Sequence, residues 1–479
     1  MGQYRRKTAA VCAGALALAG CMSDPGSGGT GGMGVTDETG VMGETDGAGP
    51  QSRSLIPALT APLAAPLAAS RDFVAMQASA SNTAIPAPTH AERLNAESEI
   101  IQGLIARRSV LPAGSAYDRV ATAVLAANSR SAESELRAAQ LRAAAASKNW
   151  LPQIGPNISL SSLGSLVANI IVEQVIFDNG RKQGEREFAA ADVEVAAVAL
   201  AADTNARVRT GLELYISAVE AREKFALASA SARDIGHFEW IMQQRVEGGV
   251  SDSSDLNVLR QKLLEIGASQ SAAAEAAQTA IAELNAMALG DLGGVTGTSA
   301  LPVNAGLAQP LSVTKSQAEM ARTVAAARVE RAGQLPGLVA SGIVGENSAF
   351  GLQLKNDILL GLGTGNRLQA IEAAREAAGR RLAQATEDAN RSLRKLEGQI
   401  ASTERQATEA AQLTAQAKKN LDLFQAQYDA GQRQVMDVVG VYETFARQQN
   451  AEVTLKYEAI RLRLAMADLL GVLADGSRI

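Results

Sequence analysis

Two short turns, 182 residues apart, constrain this chain more than any other feature of its sequence. The first, Arg245-Val246-Glu247-Gly248-Gly249-Val250-Ser251-Asp252, interrupts a long alanine-rich helical pattern that resumes at Ser253-Ser254-Asp255-Leu256. Gly248 and Gly249 can take the left-handed conformation that ends a helix, and Ser251 and Asp252 carry oxygens for the free N–H groups opening the next. The pattern predicts the tip of a helical hairpin. In the second turn, Gln427-Tyr428-Asp429-Ala430-Gly431-Gln432-Arg433, Gly431 and Asp437 keep the six-residue spacing of Gly249 and Asp255. A long hairpin, present twice, is the expected framework.

The flanking pattern sets the scale. From Gly180 to Gly249 the helical pattern runs 69 residues with only brief glycine interruptions, about 100 Å of helix at ~1.5 Å per residue. Val208, Leu212, Tyr215 and Val219 recur at the alternating spacing of a coiled-coil seam, so this helix needs partners along its length. Ahead of it, helical patterning begins near Ala91 and predicts one helix over Ala116–Asn149, stopped by Trp150-Leu151-Pro152-Gln153. Alternation at Ile154, Ile158 and Leu160, a turn at Ser162–Ser165 and an apolar run over 166–177 predict a strand hairpin, closed by Asp178-Asn179-Gly180. A returning limb spans Asp252–Ala288, and Gly, Ser, Thr and Pro over 289–312 mark a join.

The second half repeats the order. A helix over Val313–Gly333 precedes Leu335-Pro336, a polar turn at Gly345–Ser348, a strand-like run over Ala349–Leu362, a turn at Gly363-Thr364-Gly365-Asn366 and a last limb over Asp437–Leu473. The offset between halves is 184 at the Leu-Pro pairs, 185 at the turn before the long helix and 182 at the tips.

Chemistry is sparse. Aromatic residues make up 3% of the chain and alanine is abundant, which favours close-packed long helices over a large aromatic core. A net charge of -5 offers no basic face for nucleic acid. Only His90 and His237 occur, so no cofactor or transition-metal cluster is expected. Composition leaves a Ser/His/acid triad open, yet neither a nucleophile elbow nor a phosphate-binding glycine loop occurs, and no enzymatic role is expected. Neighbouring charges such as Glu220 with Arg222 and Glu223 with Lys224 read as solvated surface.

At the N-terminus, Arg5, Arg6 and Lys7 precede an apolar stretch over Ala9–Ala19, too short to span a bilayer. Leu18-Ala19-Gly20-Cys21 resembles a bacterial lipobox, which implies a signal peptide over 1–20 and lipid, palmitate included, on Cys21. Cys12 would leave with the signal, so no internal disulfide is expected. Met22 and Ser23 follow the cysteine where some lipoproteins carry the aspartate that retains them at the inner membrane, and outer-membrane sorting is implied. Residues 21–90 read as a flexible tether and extended segment, 91–300 as the first repeat and 301–479 as the second.

Helix, strand hairpin, long helix, Gly-turn-Asp tip and returning helix, performed twice behind a lipoprotein signal, resemble the TolC-like outer-membrane efflux family. Its most specific carriers are Leu151-Pro152-Gln153, Phe177-Asp178-Asn179-Gly180-Arg181 and the two tips, and it covers roughly residues 115–475. The fold it implies is mainly α with a β-barrel part: duplicated helical hairpins form an α-helical barrel, and four strands per subunit contribute to a shared twelve-stranded transmembrane barrel in a homotrimer. Four strands alone would expose unpaired edges to lipid, two copies would make a barrel filled by side chains, and three give a bore. Trp150, Phe177 and Phe350 are the candidate aromatic anchors.

The implied function is an outer-membrane exit duct of an efflux or type I secretion system in a Gram-negative envelope. Its implied partners are a periplasmic adaptor, an inner-membrane transporter and outer-membrane lipid. By resemblance the periplasmic gate is Asp255, Tyr428, Arg433 and Asp437, and the adaptor-contacting tips are Arg245, Gly248, Gly249, Val250, Ser251, Gly431 and Gln432. For Asp255 and Asp437 the alternative is a plain helix-dipole role in a first turn. The competing whole-protein readings are a coiled-coil envelope spacer without a pore and a periplasmic adaptor, both disfavoured by two strand hairpins at matching offsets.

Overall fold

A computed structural model describes residues 98–127, 131–162, 165–345, 348–355 and 361–478, all within one compact unit spanning Ala84–Ile479. The segments expected as signal peptide and tether, with Cys21, lie outside the described residues. Helices α1 (Glu99–Ile105), α2 (Ala116–Ala126) and α3 (Ser131–Ala146) lead into strands β1 (Gln153–Ser162) and β2 (Ser165–Phe177). The first long hairpin is α4 (Arg181–Glu247) and α5 (Ser253–Met287). The second repeat is α6 (Leu311–Gly333), β3 (Gly337–Val344), β4 (Ala349–Lys355), α7 (Thr364–Asp429) and α8 (Val435–Leu470), ending in a 3-10 turn at Gly476–Arg478. With 67 and 66 residues, α4 and α7 are each about 100 Å long.

Three expectations change. The helix expected over Ala116–Asn149 is described as two helices, with Ala127 closing the first and residues 128–130 outside the described set. The strand expected over Ala349–Leu362 is described over Ala349–Lys355, and residues 356–360 lie outside the described set. The glycines expected to interrupt α4 do not: it is continuous through Gly184, Gly211 and Gly236. Two of them permit close approach instead, since a Cβ on Gly184 would stand 3.0 Å from Val329 Cγ2 and one on Gly211 2.8 Å from Val124 Cγ2. Gly211→Ala is therefore expected to destabilise by about 1–3 kcal/mol through overpacking, outweighing a helix-propensity gain of about 1 kcal/mol. A midpoint of thermal unfolding equal to or above the wild type would show that Val124 gives way.

Packing follows the seam. Val208, Leu212 and Tyr215 are fully buried and join Tyr117 and Val120 of α2 with Leu464 and Leu470 of α8, so both repeats share one core midway along the helices. Each such aliphatic side chain contributes about 1.5–3 kcal/mol relative to exposure. Polar ties close this level: Arg107, itself buried, donates to Leu470 O at 2.5 Å and Gln309 O at 2.9 Å, and Asn205 Oδ1 accepts from Leu473 N at 2.8 Å. Small residues do the spacing elsewhere, with Ala139 and Ala143 of α3 against Ala189 and Val193 of α4.

The four strands form one antiparallel sheet in the order β1-β2-β3-β4, so β1 and β4 are its outer strands. Asp178 makes the junction to α4: its carboxylate accepts from Gly180 N at 3.1 Å and Lys182 N at 2.6 Å, while Asn179 and Gly180 take positive φ. Asn179 Nδ2 donates to Pro336 O at 3.0 Å and joins the two repeats there.

Candidate functional site: the hairpin tips and the sheet

Both tips turn by the same hydrogen bonds. Val250 N donates to Arg245 O at 2.8 Å, and Gln432 N to Gln427 O at 2.8 Å. Gly248 N reaches Gln244 O at 3.0 Å, and Ala430 N reaches Ala426 O at 3.1 Å. Gly249 at φ +69° and Gly431 at φ +75° hold the left-handed position that favours glycine. Asp252, not Ser251, then caps α5 by accepting from Ser254 N at 3.2 Å, and Ser251 N donates to Arg245 O at 3.3 Å. Val250 projects into solvent. Glu247 to Val250 are thus the exposed part of one turn, with Arg245 and Ser251 half-buried beside them, and Gly431 with Gln432 are exposed in the other.

Just above the tips the two hairpins share an apolar cluster that includes Phe238 and Met242 of α4, Leu256 and Leu259 of α5, Leu421 of α7 and Val438 of α8. Tyr428 packs edge-on against Phe238 with ring centroids 6.3 Å apart. Arg433 lies 4.5 Å over the Phe424 ring and donates through Nε to Gln427 Oε1 at 3.1 Å. Asp437 is in a capping box with Gln434, whose N–H donates to its Oδ2 at 3.3 Å. Asp255 sits half-buried in the first turn of α5. Among the described residues of a single chain, neither Tyr428 nor Arg433 hydrogen-bonds to Asp255.

The sheet has two chemically different faces. Ile154, Ile170, Val344, Phe350, Leu352 and Leu354 are exposed on one side. The other face mixes Gln153, Glu173, Ser341, Gln353 and Lys355 with Ile171, Val175, Val339 and Ile343, and on it Lys355 Nζ lies 3.3 Å from Glu173 Oε2. A sheet that turns its apolar face to the surroundings has the alternation of a membrane barrel. Trp150, Phe177 and Phe350, the candidate anchors, are all exposed. No helix among the described residues is long and apolar enough to cross a membrane.

No protein-family model and no curated protein matches the sequence. Solved structures do. The Vibrio cholerae outer membrane protein VceC is 16% identical with a TM-score of 0.63 over 79% of this chain and 96% of its own. The Neisseria gonorrhoeae MtrE outer membrane channel gives 13%, 0.62, 78% and 96%, and the Campylobacter jejuni CmeC outer membrane channel 12%, 0.62, 76% and 86%. The fold is that of the TolC-like outer-membrane channels.

On this TolC-like frame the structure also places polar residues that the sequence pattern assigned to the surface. Glu220 is buried at 8% exposure, ion-paired with Lys224 at 2.7 Å and with Arg461 of α8. Glu223 accepts from Lys456 Nζ at 2.8 Å and from the Tyr457 hydroxyl at 2.5 Å. Arg222 donates to Gly293 O at 2.9 Å, pinning the join between repeats. These charges face α8 and the join because the seam through Val208, Leu212, Tyr215 and Val219 continues onto them. A second tie was not expected: the Tyr442 hydroxyl donates to Asp234 Oδ2 at 2.8 Å and lies 3.3 Å from Ser231 Oγ, joining α8 to α4 above the tips. Burial, with Asp234 adding to it, pushes that hydroxyl up to about 12. The available signal was a tyrosine at a seam position, after Val435 and Val438, which needs a buried polar partner.

Proposed function

We propose that this chain is a subunit of a passive outer-membrane duct that receives solutes from an inner-membrane transporter through a periplasmic adaptor. One observation carries the reading: a four-stranded sheet with an exposed apolar face and two outer strands continues directly into helices about 100 Å long. Backbone groups on such edges are costly in lipid, so the sheet closes through further copies, and three copies give twelve strands and a bore. The names of the neighbours, channels of outer membranes, agree with this. A coiled-coil spacer would have no use for the apolar sheet face.

The paired tips, Arg245 to Ser251 and Gly431 with Gln432, are the surface offered to the adaptor. The gate is a contact between subunits: Arg433, with its Nε on Gln427, directs its terminal nitrogens to the Asp255 carboxylate of a neighbouring copy, and the Tyr428 hydroxyl donates to the same group. Asp437, exposed at the start of α8, adds a carboxylate per copy facing the axis and favours cations. Cys21 carries acyl chains that assist attachment to the outer membrane, two or three chains holding far more durably than one. Mass spectrometry of the mature N-terminus is expected to show acylated Cys21, and an unmodified Cys21 or another cleavage site would refute the anchor. Native mass spectrometry in mild detergent is expected to give a trimer, and a folded monomer or dimer would refute the shared barrel.

A further inference from the structure

The face of the sheet opposite Phe350, Leu352 and Leu354 holds a charged pair at the end nearest the helices. Glu173 stands in register with Gln153 on β1 and Ser341 on β3, and Lys355 with Gly337. The Lys355 ammonium reaches Glu173 at 3.3 Å, across the intervening strand. Beside the pair is a cavity of about 220 Å³ between sheet and helices, lined also by Asp178, Arg181 and Lys182. Those three charges are already committed. Asp178 caps α4, Arg181 Nε reaches Glu185 Oε1 at 3.2 Å, and Lys182 Nζ reaches Glu185 Oε2 at 3.4 Å.

Because Phe350, Leu352 and Leu354 occupy the opposite face, a sheet closed in a membrane turns Glu173 and Lys355 inward. We propose that these two residues, repeated in each copy, form a charge-balanced ring lining the bore where barrel meets tunnel. The inference rests on the channel reading and deepens it. A bore with low-dielectric walls focuses the field of the charges it exposes. Paired carboxylate and ammonium cancel at this level, so solutes of either sign pass it, and charge discrimination is left to the tips with Asp437. Removing one partner uncovers the other, and the two single substitutions act with opposite sign.

The test is the reversal potential of the full-length protein in planar bilayers under a potassium chloride gradient, with trimers verified by native mass spectrometry. Lys355→Gln is expected to move the reversal potential towards that of potassium and Glu173→Gln towards that of chloride. The double variant is expected to return close to the wild type. Conducting channels whose reversal potential is the same in wild type and both single variants would overturn the ring while leaving the duct intact. A bilayer that stays silent with intact wild-type trimers would overturn the duct itself, and the ring with it.

Discussion

Substituting Tyr428→Phe and Arg433→Ser together is expected to raise single-channel conductance several-fold while the trimer stays intact. Phenylalanine keeps the edge-on packing against Phe238, so the first change removes only a hydroxyl. Serine withdraws the guanidinium from Phe424 and Gln427, and with it the donors proposed to reach Asp255 of the next copy. Hydrogen bonds to a charged group are worth about 1.5–3 kcal/mol each in a partly desolvated setting, and a closed ring repeats them in every subunit. The apolar cluster above the tips is left in place, so the hairpins keep their internal packing. Tyr442→Phe, which cuts the tie between α8 and α4 within a chain, is expected to give a smaller rise. Conductance unchanged in the double variant would mean that Tyr428 and Arg433 do not hold the gate.

Arg461→Met is expected to cost about 2–3 kcal/mol, because it leaves the buried Glu220 carboxylate with a single ammonium partner, Lys224. Burial alone would raise the Glu220 carboxyl, but Lys224 and Arg461 bring it below its ordinary value, and Lys456 with Tyr457 does the same for Glu223. A carboxyl lowered by folding stabilises above its ordinary pKa, and that stabilisation is lost as pH falls through the lowered value. The gap between variant and wild type should therefore be widest near neutrality and close on acidification below the ordinary carboxylate range. Asp468 acts in the opposite sense, since burial raises it despite Arg209, but it is common to both proteins. Thermal midpoints across pH check this, and a gap that stays constant would mean the loss is one of packing, not of charge.

What the sequence revealed depended on whether a feature was local. The tips could be read because a left-handed glycine is decided within a few residues and recurs in both, while the caps differ, Asp252 at the first and Gln434 boxed with Asp437 at the second. The seam could be read because Val208, Leu212 and Tyr215 announce their burial by spacing alone. The interruptions expected at glycines failed because Gly184 and Gly211 answer to Val329 and Val124, which belong to other helices. Glu220 was misplaced for the same reason: besides Lys224 one turn on, its counter-charge is Arg461, more than 200 residues away, and the half-exposed Glu223 likewise reaches Lys456. The Tyr442 tie to Asp234 spans a similar distance. At the sheet, alternation marked β1 and strand-like runs marked β2 and β4, while β3 and the division of residues between two faces emerged only with the register.

The duct is tested most directly by current through purified full-length protein reconstituted in a planar lipid bilayer. Discrete, reproducible conductance steps are predicted for the wild type, enlarged in the Tyr428→Phe/Arg433→Ser variant. Intact trimers that insert into the bilayer and pass no current in either form would contradict the account.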